Sequence, residues 1–223
     1  MSGRRITISD KSRTRVKGTF EPIALAMGRA GLTPNALTLI GFGITVVGAV
    51  LLSQQQWLAG GLVVFAGGVF DMFDGTLARA TGKVSAFGAF MDSVFDRWGE
   101  ALTHLGLIVG ATAAGLTELA VVAGTALIGA FMVSYTRAKA EGLGFSAGSG
   151  MATVGIMPRE VRLVVLTMGL VIGGLLLPTT DPTLGILIIK IALAIIAVGA
   201  TITTIQRILH VRDQANSNGE AGK

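Results

Sequence analysis

Residues 71–96 read DMFDGTLARATGKVSAFGAFMDSVFD, from Asp71 to Asp96. Four carboxylates, Asp71, Asp74, Asp92 and Asp96, sit in a run that is otherwise mostly Phe, Met, Val, Leu, Ala and Gly. Ionised groups in such company are costly unless something pairs with them. A helix turns about 100° per residue, which gathers Asp71, Asp74, Gly75, Ala78 and Arg79 on one face. A second helix after Gly82 puts Ser85, Gly88, Asp92 and Asp96 on one narrow stripe. Facing each other as a helical hairpin, the stripes would bring the carboxylates together, with Gly and Ala leaving room for a bulky ligand. An all-oxygen site of this kind suits Mg²⁺ or Mn²⁺, and two such ions would clamp a phosphate or pyrophosphate. The competing account is local neutralisation by Arg79, Lys83 and Arg97.

The flanking sequence puts this hairpin in a membrane. Of 223 residues, 51% are hydrophobic and 14% charged, with a mean hydropathy of +0.70. Those values fit a polytopic membrane protein rather than a soluble domain. The absence of Cys excludes disulfides and Cys-ligated metals. A net charge of +5 could point to nucleic acid. In a membrane protein it reflects basic flanks beside anionic lipid, so no nucleic-acid partner is expected. Residues 1–21 lack an apolar core, so no cleavable signal peptide is expected and the first span serves as its own insertion signal.

Apolar runs predict spans at about 35–53, 58–80, 84–112, 119–138, 160–177 and 184–207. The expected fold class is an all-α integral membrane protein, six transmembrane helices plus an N-terminal amphipathic juxtamembrane helix. The domain plan is a basic cytoplasmic segment over 1–33, a six-span domain over 34–210 and a cytoplasmic tail over 211–223. Leu32-Thr33-Pro34-Asn35 is expected to break one helix and cap the next, and Thr81-Gly82-Lys83 to turn between the halves of the hairpin. Residues 142–155, rich in Gly, Ser and Ala, read as a mobile loop, and 216–223 as a disordered tail. The termini and the loops near 80 and 140–160 hold 16 of the 18 Lys and Arg, counting membrane-edge residues. The positive-inside rule then makes both termini and the carboxylate cluster cytoplasmic, in the cell membrane. Lys190, inside the sixth span, is expected to snorkel to the interface.

The skeleton Asp71-x2-Asp74-Gly75-x2-Ala78-Arg79-x8-Gly88-x3-Asp92-x3-Asp96 resembles the signature of the CDP-alcohol phosphotransferase family without departure. The resemblance implies a membrane enzyme that moves a substituted phosphate from a CDP-alcohol to an acceptor hydroxyl and releases CMP. It implies that Asp71, Asp74 and Asp92 bind metal, and that Asp96 binds or borders a second ion and acts as general base. It implies CDP contacts from Gly75, Arg79 and Ser85 and from Asn35, Ala36, Leu37 and Thr38, with Ala78 and Gly88 allowing close approach. For Asn35 and Ser85 a helix-capping role stands beside the nucleotide role. Glu100 and His104 continue the Asp92–Asp96 stripe and are expected to be structural.

Arg137, Lys139, Arg159, Arg162 and Arg207 fall at membrane-edge positions. Arg forks match phosphate geometry, although the positive-inside bias alone would place several of them there. Beyond the signature, the chain resembles the phosphatidylinositol phosphate synthases and a related archaeal enzyme of the same family. The shared features are the basic N-terminal helix, Gly31-Leu32-Thr33-Pro34, the segment from Ser134 to Glu141, Arg159-x2-Arg162 and Gln206-Arg207. This implies CDP-diacylglycerol and inositol 1-phosphate as substrates in membrane lipid, and two Mg²⁺ (or Mn²⁺) per active site. Arg137, Arg159 and Arg207, with Ser134 and Arg162, would hold the acceptor phosphate, in a homodimer. Arg137 stands where the family usually has Lys, and Pro158 precedes rather than follows the first Arg of its pair. Phosphatidylglycerol phosphate synthase, an ether-lipid archaeal relative and, in another class, an intramembrane cation transporter are the alternatives.

Overall fold

The structure is a computed structural model that describes residues 20–145, 151–178 and 182–220. Most of the expected amphipathic N-terminal segment, residues 1–19, lies outside the described residues. The helices are α1 over 20–29, then α2 (Pro34–Ser53), α3 (Trp57–Ala80), α4 (Ala86–Ala113), α5 (Thr117–Gly142), α6 (Arg159–Leu176) and α7 (Pro182–Glu220). A 3₁₀ turn spans Met151–Thr153. No strand occurs among the described residues.

Local chemistry sets the boundaries. Pro34 opens α2, where its missing N–H costs nothing, and the Thr33 hydroxyl accepts from Ala36 N at 3.2 Å. The cap is therefore Thr33, and Asn35 stands inside the first turn with its side chain released from capping. Ser85 does cap α4, accepting from Gly88 N at 3.0 Å. α3 closes with Lys83 N donating to Ala78 O at 2.9 Å, across Gly82 at φ 66. A residue with a Cβ is strained there, which is why glycine marks the turn. The same closure ends α2, although there Gln55 takes the positive φ of 64.

Among the described residues, four helices are long and apolar enough to cross a membrane: Pro34–Ser53, Trp57–Ala80, Thr117–Gly142 and Pro182–Ser217. α4 carries Asp92, Asp96, Arg97 and Glu100, and α6 carries Arg159, Glu160 and Arg162 within its first turn. Exposed Val47, Leu62, Ile128, Leu187 and Val198 on the four apolar helices would be a liability in water and are at home in lipid.

The chain forms two compact units. The first comprises residues 1–45 and 66–99. Its core is Ala24, Leu37, Phe73 and Leu77, with Phe20, Met27, Leu32 and Phe70 packed on it. Phe20 meets Phe73 edge-on at 5.3 Å. α1 approaches α3 closely because residue 28 is Gly: a Cβ there would stand 2.7 Å from Leu77 Cδ1.

The second unit comprises residues 46–65 and 100–223. Leu52, Trp57, Leu107, Leu119, Leu170, Ile189 and Leu193 lead its core. Gly106 sits on the Ala49 carbonyl and Gly110 on that of Leu52, with no space for a Cβ at either. Such small-residue contacts replace the hydrophobic effect, which lipid does not supply.

Two expectations change here. Residues 151–155, read as part of a mobile loop, are held in place: Met151 is fully buried, and Met157, just beyond the loop, is nearly so. Long-range bonds to α7, invisible in local composition, fix them. The chain stays helical to Glu220 instead of ending its order near Asn216, because tail propensity is only a weak prior. Lys190, within α7, pairs with the exposed Glu118 at the start of α5 at 2.5 Å.

Candidate active site

The carboxylates of Asp71 and Asp74 on α3 and Asp92 on α4 converge, with one oxygen from each lying within 4.8 Å of the others. Asp96 follows one turn later on α4, outside this group, with 14% of its side chain exposed and Arg97 Nη1 at 3.8 Å from its Oδ2. The hairpin of the signature is thus present in the first unit.

Asp74 is the most enclosed member, 7% exposed. Thr38 on α2 donates its hydroxyl to Asp74 Oδ2 at 2.5 Å, and Gly75 N donates to Asp74 Oδ1. These bonds fix the carboxylate's rotation but leave its negative charge beside two more. Like charges about 4 Å apart repel by roughly 4 kcal/mol each at an effective dielectric near 20. Arg79 Nη2 reaches Thr76 Oγ1 at 3.5 Å. A divalent cation fits the donor set: carboxylate oxygens only, spaced little wider than the roughly 4 Å between opposite ligands of Mg²⁺.

A cleft of about 260 Å³ adjoins the carboxylates. Asn35, Thr38, Asp74, Gly75, Ala78, Arg79, Ser85, Gly88 and Asp92 line it, as do Pro34, Lys83, Val84 and Ala89, which the motif did not single out. Gly88 keeps the wall thin, since a Cβ there would lie 3.4 Å from Asn35 Oδ1. Two expected nucleotide contacts are not brought to the cleft. Leu37 is fully buried in the core of the unit, and Ala36 lies outside the lining. Asn35 and Thr38, three residues apart, share the cleft-facing side of α2, while Ala36 and Leu37 turn away from it.

The expected acceptor residues belong to the second unit. Arg162 is 2% exposed, and its fork is engaged with Glu100, Nε to Oε1 at 2.7 Å and Nη2 to Oε2 at 2.8 Å. Its remaining nitrogen, Nη1, donates to Met157 O at 2.9 Å, so a carboxylate of the chain itself takes the place expected for a phosphate. Arg207, 3% exposed, donates from Nε to Val154 O at 3.0 Å and from Nη1 to Val133 O. Arg137 pairs with Glu141 at 2.9 Å near the end of α5. Ser134 bonds back to Ala130 O at 3.2 Å, and Arg159 starts α6, half-buried. Glu100 and His104 have structural partners: His104 Nδ1 lies 2.8 Å from Glu100 O, and Glu100 holds Arg162.

Comparison with known proteins bears on what such a site does. The family model for CDP-alcohol phosphatidyltransferases matches residues 31–206. Archaetidylinositol phosphate synthase of Pyrococcus horikoshii is 36% identical over 91% of this chain and 95% of its own length. Phosphatidylinositol phosphate synthase of Cutibacterium acnes is 35% identical over 89% of this chain and 94% of its own. The crystal structure of the Mycobacterium tuberculosis phosphatidylinositol phosphate synthase with CDP-DAG bound superposes with a TM-score of 0.74 at 30% identity, covering 86% of this chain and 92% of that one. The same enzyme in complex with manganese and citrate gives a TM-score of 0.71. A converging carboxylate group, the cleft beside it and a family match over residues 31–206 lead to one conclusion: this protein belongs to the CDP-alcohol phosphatidyltransferase family and is a membrane-embedded CDP-alcohol phosphotransferase.

Proposed function

We propose that the enzyme transfers the phosphatidyl group of CDP-diacylglycerol to inositol 1-phosphate, giving phosphatidylinositol phosphate and CMP. The observation that carries the reading is the meeting of Asp71, Asp74 and Asp92 beside a cleft lined by the remaining signature residues. Kinship to synthases of this name supports the acceptor.

Asp71, Asp74 and Asp92 would hold the metal, with Asp96 bordering a second ion. When bound, the two divalent ions, Mg²⁺ or Mn²⁺, neutralise the pyrophosphate and the charge that develops on CMP. Asn35, Thr38, Gly75, Arg79 and Ser85 contact the CDP moiety, while Ala78 and Gly88 keep the wall low. Asp96 takes the proton of the acceptor hydroxyl as that oxygen attacks the lipid-linked phosphorus. The bond from this phosphorus to the bridging oxygen breaks, and CMP leaves with that oxygen. Arg137, Arg159 and Arg207, helped by Ser134, receive the phosphate of the acceptor. Arg162 has its place in holding Glu100 and the segment before α6.

In this reading α4 and α6 also cross the membrane, making six spans within a catalytic domain over 34–210. The exposed stripe Val161, Val164, Met168, Ile172 and Leu175 on α6 supports that role. The basic segment 1–33 lies along the cytoplasmic surface, the tail 211–223 is cytoplasmic, and the enzyme is a homodimer. The distribution of Lys and Arg supports the orientation. The relationship to the Pyrococcus enzyme favours one second reading, an ether-linked CDP-lipid donor with the same acceptor.

The test is an acceptor panel with labelled CDP-diacylglycerol: inositol 1-phosphate, inositol, glycerol 3-phosphate and serine. Labelled product with inositol 1-phosphate alone is expected. Product with glycerol 3-phosphate instead would make this a phosphatidylglycerol phosphate synthase.

A further inference from the structure

The segment between α5 and α6 is tied to its own unit at three backbone groups. Arg207 Nε donates to Val154 O at 3.0 Å. Met157 N donates to Thr203 Oγ1 at 2.9 Å, and Thr203 is fully buried. Met157 O accepts from Arg162 Nη1 at 2.9 Å, and Glu100 grips the rest of that guanidinium. Between these ties Gly155 has φ 117, and a Cβ on it would overlap the Thr203 methyl. Residues 154–157 thus form a strap that requires glycine at position 155. Thr203 stands one helical turn before Arg207 on α7, and Met157 stands two residues before Arg159.

We propose that Thr203, together with the Glu100–Arg162 pair, is a positioning residue for the acceptor phosphate, acting through the 154–157 strap. This rests on the reading above, in which Arg159 and Arg207 receive that phosphate. The strap joins the two. At one end its Val154 carbonyl orients the Arg207 guanidinium. At the other end Met157 and Pro158 set where α6 begins, and so where Arg159 stands. A threonine deep on an apolar helix is otherwise an expensive choice, since valine has the same shape without the polar group. Here its hydroxyl oxygen serves a backbone N–H that no helix or sheet provides for.

The test compares Thr203→Val and Thr203→Ser in the full-length enzyme in detergent, measuring KM for inositol 1-phosphate and for CDP-diacylglycerol separately. Metal-dependent CMP binding serves as the check on folding. Valine keeps the volume but strands the Met157 N–H, so acceptor KM should rise about tenfold. KM for the lipid and kcat should stay within about twofold, and serine should restore the wild-type acceptor KM. Thr203→Ala replaces valine if the valine protein fails the binding check. An unchanged acceptor KM in the hydroxyl-deleted protein, or equal rises in both KM values, overturns the proposal. Arg159→Gln separates this from failure of the underlying reading. If that variant leaves acceptor KM unchanged, the docking assignment is what falls. If it raises acceptor KM while the hydroxyl-deleted protein does not, the strap alone is refuted.

Discussion

The Thr38 hydroxyl reaches from α2 to Asp74 Oδ2 on α3 at 2.5 Å, with both side chains buried. The bond orients a carboxylate grouped with those of Asp71 and Asp92 in the wall of the cleft. Orienting partners of this kind are typically worth 10–100-fold in metal affinity. Thr38→Val should weaken Mn²⁺ binding by about that factor, while Thr38→Ser should keep it. Titration of metal-dependent CMP release against Mn²⁺ reads both. Equal metal dependence in the valine variant and the wild type would remove the role of Thr38 as a brace.

Three carboxylates drawn together repel one another when no cation lies among them. Added Mn²⁺ should therefore raise the unfolding temperature of the wild-type protein in a concentration-dependent way. Asp74→Asn should abolish that rise together with activity, and its metal-free form should unfold no earlier than wild type. A metal-induced shift that survives in Asp74→Asn would place the ion elsewhere.

Glu100 and Arg162 form a two-bond ion pair whose side chains are 9% and 3% exposed. Removing one partner strands the other charge in a low-dielectric interior, a loss of about 3–5 kcal/mol. Glu100→Gln and Arg162→Met should each unfold well below wild type, and the double variant should recover much of the loss. Thermal unfolding in detergent checks this, and strictly additive losses would contradict it.

Two glycines of similar sequence context should behave oppositely. A Cβ on Gly106 would collide with the Ala49 carbonyl, whereas one on Gly43 meets nothing within 4 Å. Gly106→Ala should destabilise the protein by more than about 1 kcal/mol, and Gly43→Ala should be neutral or stabilising by up to about 1 kcal/mol. The order of their melting temperatures is the readout.

The signature hairpin was legible because its chemistry is local. Carboxylates at helical spacing, glycine at the turn and serine before the second helix specify a shape without reference to the rest of the chain. The helix positions followed from long apolar runs, and the structure places the helices close to them. The strap was not legible. Its partners are 46 residues apart for Met157 and Thr203 and 53 for Arg207 and Val154, so composition alone read its first half, to residue 155, as loose. Arg162 was legible as a cation at a membrane edge but not as the mate of Glu100, 62 residues away. Ala36 and Leu37 were assigned to the nucleotide by the family resemblance, as one segment with Asn35 and Thr38. The helix turns adjacent residues to different sides, and Leu37 goes to the core.

The most direct test is CMP release from CDP-diacylglycerol by the purified protein with inositol 1-phosphate, with and without Mg²⁺ or Mn²⁺, beside Asp71→Asn, Asp92→Asn and Asp96→Asn. Release should require the metal and be lost by at least about a thousandfold in every variant. Asp96→Asn alone should still bind CMP in the presence of metal. Metal-independent release, or full activity in Asp71→Asn or Asp92→Asn, would contradict a divalent centre at these carboxylates.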